Sequence, residues 1–352
     1  MSIRVIHVGV GVRGRHWLEI VADHPDFVSV ACVDPDEGAL RQAGEIRGQQ
    51  HGQFLRTLED ALERVQADAA LIASPTFLHA PQTLQVLDAR LAILVEKPLA
   101  RNLHEAVEIV ERAHTVSRVC MVAENYRFFP AERTVRRLID EGWPGLLTSV
   151  TCIDHRDQPS HTQGTWVKGI DHPFLGEISV HHFDSFRYLF NREPVALMAR
   201  SYNPPGSTYD REGAADALIE LEHGLPIVYA GTFHAHRFEF SLWVQGDKGD
   251  LWTDRKRVWW RPRGRRFFLP VRLTSVPKGD ELPYPKGGTV SLLNQFRDAV
   301  LKGATPETAA QDNLRTLAMV EASIVSHRQG RKVSIDELLT PSLRLRAGIQ
   351  AT

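Results

Sequence analysis

Two groups of residues in this sequence have the types and spacing for chemistry. Gly9-Val10-Gly11-Val12-Arg13-Gly14 has the form G-x-G-x-x-G, follows the apolar run 3–8 and opens an apolar-periodic segment holding Trp17, Leu18 and Val21. In that setting Gly9 permits a tight turn, Gly11 lets the backbone approach a pyrophosphate, and Gly14 lets helix and strand pack while the helix N–H groups face the anion. Asp34 closes the next apolar run about 20 residues later, the place of an acid that hydrogen-bonds a ribose 2′-hydroxyl. Its charge would repel a 2′-phosphate, and Pro35 and Asp36 follow it rather than Arg or Lys, so the expected cofactor is NAD rather than NADP. In the second group, Glu177, His181, Asp184 and Tyr188 fall at i, i+4, i+7 and i+11, opposite Phe183, Phe186, Leu189 and Phe190. Taken alone, that stripe is either the solvated face of a helix or a row of groups for acid–base work.

The elements that must position these groups follow from the apolar pattern. Residues 3–8, 28–33, 69–73, 92–95 and 119–123 are near-continuous apolar runs, and amphipathic stretches at 14–22, 37–46, 58–65, 80–89 and 103–113 alternate with them. This is the pattern of βαβ units with a parallel sheet covered on both faces. A further helix is expected at 131–140. After Gly145 the runs become longer and alternate with polar residues, at 147–153, 214–221, 227–233 and 238–245, and helical patterns at 290–301 and 306–327 follow. The fold class is therefore α/β: a Rossmann dinucleotide-binding domain over 1–125, then an α+β domain over 126–352 with a large, mostly antiparallel sheet.

Glu96-Lys97-Pro98 ends the run 92–95, and ligands of open α/β sheets bind at such carboxyl ends of strands. Here the sequence resembles the glucose-fructose oxidoreductase / inositol dehydrogenase / MocA (Gfo/Idh/MocA) family over nearly its whole length. Ala73-Ser74-Pro75-Thr76 with His79 is similar to the family's T-P-N-x-x-H segment, and Asn125-Tyr126-Arg127-Phe128-Phe129-Pro130 to its N-x-R-F-x-P. Trp166 resembles a tryptophan often found near the nicotinamide. Glu177-Ile178-Ser179-Val180-His181-His182-Phe183-Asp184 resembles the motif D-x-G-x-H-x-x-D, with Glu177 in place of the aspartate and Ser179 in place of the glycine.

The resemblance implies an NAD-dependent oxidoreductase that moves a hydride between nicotinamide and a secondary alcohol or ketone of a sugar, inositol or related polyol. The alternative within the same resemblance is an NAD-dependent glycosidase acting by transient oxidation, elimination and re-reduction. It places Gly9, Gly11, Val12, Arg13, Gly14, Asp34, Ser74, Pro75, Thr76, His79, Glu96, Lys97, Asn125 and Trp166 at the cofactor, and Lys97, Tyr126, Arg127, Trp166, His172, Glu177, His181 and His182 at the substrate. Oxidising an alcohol needs a base for the hydroxyl proton, and a neutral imidazole, that of His181, is suited to it near pH 7. Lys97 would stabilise developing alkoxide charge, and Glu177 would orient His181 or bond a neighbouring hydroxyl. Arg127 pairs either with a substrate anion or with a domain-interface acid, and His172 and His182 either line the cavity or are satisfied surface histidines.

A formal net charge of -1, from 42 Lys+Arg against 43 Asp+Glu, leaves no basic excess for a nucleic acid. The basic, aromatic segment 255–266 reads as hairpin strands with solvated arginines and half-buried tryptophans. His234 and His236 share a strand face but lack any H-E-x-x-H or C-x-x-C, so no metal is expected. No apolar stretch reaches membrane-spanning length, no signal-peptide pattern is present, and Cys32, Cys120 and Cys152 sit in apolar runs as buried thiols, which together read as a cytoplasmic protein. The expected partners are a small carbohydrate or polyol and further copies of the chain, as a homodimer or homotetramer.

Overall fold

The computed structural model describes residues 2–46, 52–160 and 170–349. The chain divides into two compact units, one of Met1–Asn125, Pro277–Leu314 and Ser342–Thr352, the other of Tyr126–Val276 and Arg315–Pro341. The expected second domain, 126–352, is thus not continuous. Two later segments group with the first unit, where they are tied by contacts that local sequence does not announce: Val122 donates to the Thr308 carbonyl at 2.8 Å, and Arg346 pairs with Glu111 at 2.7 Å.

The first unit carries a six-stranded parallel sheet of β1 (Ile3–Val8), β2 (Phe27–Val33), β3 (Gln53–Leu55), β4 (Ala69–Ile72), β5 (Ala92–Val95) and β6 (Cys120–Val122), in the order β3-β2-β1-β4-β5-β6. Its helices are α1 (Val12–Ala22), α2 (Glu37–Gly44), α3 (Leu58–Arg64), α4 (Thr76–Asp88) and α5 (Leu103–Thr115). Strands β4 and β5 are buried at every residue, as sheets covered on both faces require. Only β3 is missing from the expected set. It is three residues long with its first two exposed, so it offers no apolar run. Helix α4 starts at Thr76, earlier than expected, because Pro81 is accommodated inside it.

The second unit opens with α6 (Pro130–Asp140) and is built on a nine-stranded sheet. Its strands are β7 (Leu147–Asp157), β8 (Pro194–Tyr202), β9 (Ala214–Leu221), β10 (Leu225–Thr232), β11 (His234–Gly246), β12 (Gly249–Thr253), β13 (Val258–Pro262), β14 (Leu269–Val271) and β15 (Val333–Ser334). They run in the order β14-β13-β12-β11-β7-β10-β9-β8-β15. All pairs are antiparallel except β10 with β7. Helix α7 (Val180–Phe190) lies on one face of this sheet, with the Phe183 and Phe186 rings against Tyr229 of β10 and His182 stacked on Phe240 of β11. Later in the chain, helix α8 (Thr289–Lys302) belongs to the first unit, and α9 (Ala310–Gln329) begins there and runs into the second.

Candidate functional site

The carboxyl ends of the first unit's strands carry the nucleotide part of the expected residues. Gly9 has φ +82, and a Cβ there would lie 2.5 Å from the Ser74 nitrogen; a Cβ on Gly14 would lie 1.9 Å from the Gly9 carbonyl oxygen. These two glycines are demanded by the protein's own packing. Gly11 is not: a Cβ there meets no protein atom within 4 Å. It is the N-cap of α1 and no side chain caps that helix end, whose first intrahelical bond runs from the Arg15 N–H to the Gly11 carbonyl at 2.9 Å. The N–H groups of Val12, Arg13 and Gly14 therefore precede the helical ladder, beside open space. A pyrophosphate fits that cradle.

Asp34 stands past the end of β2, and its carboxylate accepts from the backbone N–H groups of Val10 at 2.9 Å and Asp36 at 3.0 Å. The phosphate loop and the acid are thus one hydrogen-bonded unit. The Arg13 guanidinium is committed elsewhere: it pairs with Glu96 at 2.5 Å, donates to the Pro285 carbonyl at 3.1 Å and lies over the rings of Trp17 and Tyr284. What Arg13 offers a cofactor is its backbone. Glu96 also accepts from the Trp17 indole at 2.7 Å and from the Lys97 backbone N–H at 3.2 Å. Burial alone would raise its pKa, but the charges of Arg13 and Lys97 with the Trp17 bond outweigh it and hold the carboxyl below its usual value. Glu96 therefore anchors the turn that presents Lys97.

His79, on the first turns of α4, faces two backbone carbonyls, Nδ1 to Pro98 at 2.7 Å and Nε2 to Ser74 at 2.9 Å. It bridges the Ser74-Pro75-Thr76 turn to the Glu96-Lys97-Pro98 turn. The Ser74 hydroxyl donates to Gln82 at 2.5 Å, and Pro75 is the N-cap residue of α4. Asn125 donates its amide N–H to the Gly287 carbonyl at 2.8 Å, holding the returning segment to the end of the sheet.

The second unit carries the residues expected at the substrate from Tyr126 onward. Leu175–Ser179 is a π-helical turn that runs into α7. The expected stripe from Glu177 to His181 is therefore broken, because a π turn holds about one residue more than an α turn. Ser179, where the family motif has glycine, is fully buried and bonds the Tyr229 hydroxyl at 2.9 Å. Nor is the stripe solvated. Asp184 is 1% exposed and takes the Arg127 guanidinium in a two-pronged ion pair, 2.6 Å on each oxygen. The acid that Arg127 pairs with belongs to its own unit, so it is neither a substrate anion nor the interface acid expected. Tyr188 accepts from Arg133 at 2.8 Å. Only the Glu177–His181 end of the stripe keeps a chemical setting.

His181 is 7% exposed and lies flat on Tyr126, ring centroids 4.2 Å apart. The Tyr126 ring also carries the Arg255 guanidinium, 4.2 Å from its centroid, and its hydroxyl accepts from Arg156 at 3.2 Å. Arg156 is held by both oxygens of Asp154, at 2.9 and 2.8 Å. Glu177 is half-buried, and its charge adds to burial in pushing the Tyr209 phenol up to about 12.

His182 is a satisfied core histidine. Its Nε2 meets Asp154 at 2.6 Å and its Nδ1 meets Arg255 at 3.3 Å. Burial first, then the Arg255 and Arg156 charges, lower it to about 4 against the Asp154 bond, so it is neutral, donating from Nε2 and accepting at Nδ1. Both nitrogens are used within the protein, which removes His182 from the substrate-binding set. His172, buried at φ +52, faces Glu212 at 3.4 Å and the His327 ring edge. Trp166 lies outside the described residues.

Of the arginines in 255–266 expected to be solvated, Arg255 turns inward. Arg255 has φ +69 at the β12–β13 turn, pairs with buried Glu132 at 2.8 Å and lies 3.7 Å from the Phe240 centroid. The local signal was a basic hairpin. A left-handed residue at its tip was the missing information. The three cysteines are buried thiols, and burial raises Cys32 and Cys120 to about 12 and Cys152 further, so none supplies a thiolate. Among the described residues no three His, Cys, Asp or Glu side chains are grouped to hold a metal.

Comparison with known proteins gives this arrangement a context. The family model described as "Oxidoreductase family, NAD-binding Rossmann fold" matches residues 3–124, and the GFO/IDH/MocA C-terminal domain matches residues 133–252. The chain is 25% identical over 349 residues to an inositol 2-dehydrogenase of Rhizobium meliloti, covering 95% of this chain and 100% of the relative. A D-apiose dehydrogenase of Paraburkholderia graminis is 26% identical over 349 residues, 94% of this chain and 89% of the relative. An oxidoreductase from Agrobacterium radiobacter, solved in complex with NAD+, L-tartaric acid and magnesium, has the same fold, with a TM-score of 0.85 at 17% identity over 96% of this chain and 100% of that one. The two family matches, joined to the glycine cradle and its acid, establish that the chain belongs to the Gfo/Idh/MocA family of oxidoreductases and that its first domain binds NAD.

Proposed function

We propose that this oxidoreductase is an NAD-dependent dehydrogenase acting on a secondary alcohol, or the matching ketone, of a sugar, inositol or related polyol. The observation that carries the reading is the stacked pair of His181 and Tyr126, an imidazole fixed face-on beside a polar rim of Arg156 and Tyr126 hydroxyl. NAD, when bound, accepts the hydride. The N–H groups of Val12, Arg13 and Gly14 would hold its pyrophosphate and Asp34 its adenosine ribose. His181 takes the hydroxyl proton, and the Lys97 ammonium stabilises the alkoxide charge as it grows. Glu177 bonds a neighbouring hydroxyl or orients His181. His79 and Glu96 keep the Lys97 turn in place. The names of the inositol and apiose relatives support a polyhydroxylated substrate. A screen of inositols, aldoses and polyols with NAD, followed by NADH absorbance, tests the reading; no NADH from any of them, with NAD bound, would count against it.

The same reading includes self-association through the sheet face opposite α7. Cross-strand register places Met198, Leu218, Val228, Thr151, Trp243, Trp252 and Trp259 in one row across seven strands. Met198, Leu218 and Val228 are 47%, 60% and 47% exposed. A row of this length, apolar except at Thr151, suits a second copy of the chain.

A further inference from the structure

The strand that the sequence conceals brings a charge to the nucleotide site that the sequence order conceals as well. Strand β3 pairs in parallel with β2, Val33 opposite Leu55, and the Asp34 N–H extends the ladder by donating to the Leu55 carbonyl at 3.1 Å. Arg56, the next residue, therefore stands beside the loop that follows Asp34. Its guanidinium donates to the Pro35 carbonyl at 3.4 Å and pairs with Glu37 at 3.2 Å. The rule that looks for a basic residue immediately after the acid finds only Pro35 and Asp36; the fold supplies the guanidinium from the neighbouring strand instead.

We propose that Arg56 is a second determinant of nucleotide choice, a binding group for a 2′-phosphate that the Asp34 carboxylate keeps out of use. This rests on the assignment of Asp34 to the adenosine ribose. Arg56 is 65% exposed at its side chain, as is Glu37, so the pair holding it is weak and readily exchanged for a phosphate, which guanidinium binds as a fork. Opposed charges at one corner then set the preference. Asp34 bonds the 2′-hydroxyl and repels the phosphate, and Arg56 attracts the phosphate once that repulsion is removed.

The test is equilibrium binding of NADH and NADPH to the full chain by fluorescence titration, for wild type, Asp34→Ser, Asp34→Ser/Arg56→Ala and Asp34→Ser/Arg56→Lys, with melting curves to confirm folding. Asp34→Ser should tighten NADPH and weaken NADH, moving their ratio by about a hundredfold or more, and removing Arg56 from that variant should weaken NADPH by about tenfold. The lysine variant should recover part of that loss, since it restores the charge without the fork. NADPH binding to Asp34→Ser/Arg56→Ala as tight as to Asp34→Ser would overturn the role of Arg56 while leaving Asp34 intact. An unchanged NADPH to NADH ratio in Asp34→Ser would overturn the ribose assignment, and the Arg56 proposal with it.

Discussion

The imidazole of His181 and the phenol ring of Tyr126 lie 4.2 Å apart at their centroids, with planes 13° from parallel. A ring held face-on cannot rotate without breaking the stack, so the direction in which its nitrogens point is set before substrate arrives. Tyr126→Ala should lower kcat/KM by roughly tenfold, whereas Tyr126→Phe, which keeps the stack and loses only the Arg156 bond, should lower it much less. Steady-state kinetics of the two variants on one substrate would separate the ring from its hydroxyl.

His181→Ala should cut turnover by about a hundredfold or more while NADH binds as in wild type, and Lys97→Ala, at a residue placed beside the cofactor, should cut turnover as much while still binding NADH. Unchanged turnover in either, with a verified substrate, would remove that residue from the chemistry.

The inward turn of Arg255 makes a prediction about stability. Replacing it by Ala leaves the Glu132 carboxylate, already pushed above its usual pKa by burial despite Arg255, with no cation beside it. Breaking such a buried pair costs about 3–5 kcal/mol, read as a lower urea midpoint at unchanged m. Adding Glu132→Gln should recover part of the loss, because the uncompensated charge is then gone.

Much of this fold is legible from pattern, and the exceptions share a cause. The phosphate loop and Asp34 are readable because strand, glycine turn, helix and acid are consecutive in sequence, and the apolar runs of β4 and β5 are buried on both faces. Asp184 and Arg127 are readable as chemically capable residues but not as partners of each other, since 57 positions separate them. His182 and Asp154 are hidden in the same way, as are Arg56 and Asp34. The π turn at Leu175–Ser179 escapes a reading that assumes one helical period, and Arg255 escapes because a single positive φ decides which way it points.

Acid should destabilise the protein before carboxylates titrate. His7 and His182 are buried, and burial lowers them from 6.5 to about 3 and about 4. Both bind a proton more readily in the unfolded chain, so the stability they confer is fully present above pH 6.5 and is lost as pH falls through that window toward the folded values. His182 alone accounts for about 3 kcal/mol across it. Urea melts between pH 7 and 4.5 should show falling midpoints, and His7→Gln should flatten the slope.

A charge placed in the open-face row tests the proposed self-association. Leu218→Arg or Val228→Asp should shift light-scattering mass to that of one chain without changing the melt of the monomer, and an unchanged mass would assign the contact to another surface.

The measurement closest to the central claim follows NADH and product together, with NAD below the concentration of substrate. A dehydrogenase of sugars or polyols converts one substrate for each NAD supplied, then stops with an equal amount of NADH formed. Many turnovers of a glycoside per NAD, with aglycone released and no NADH accumulating, would contradict the account and identify the reaction as a redox-assisted glycoside cleavage.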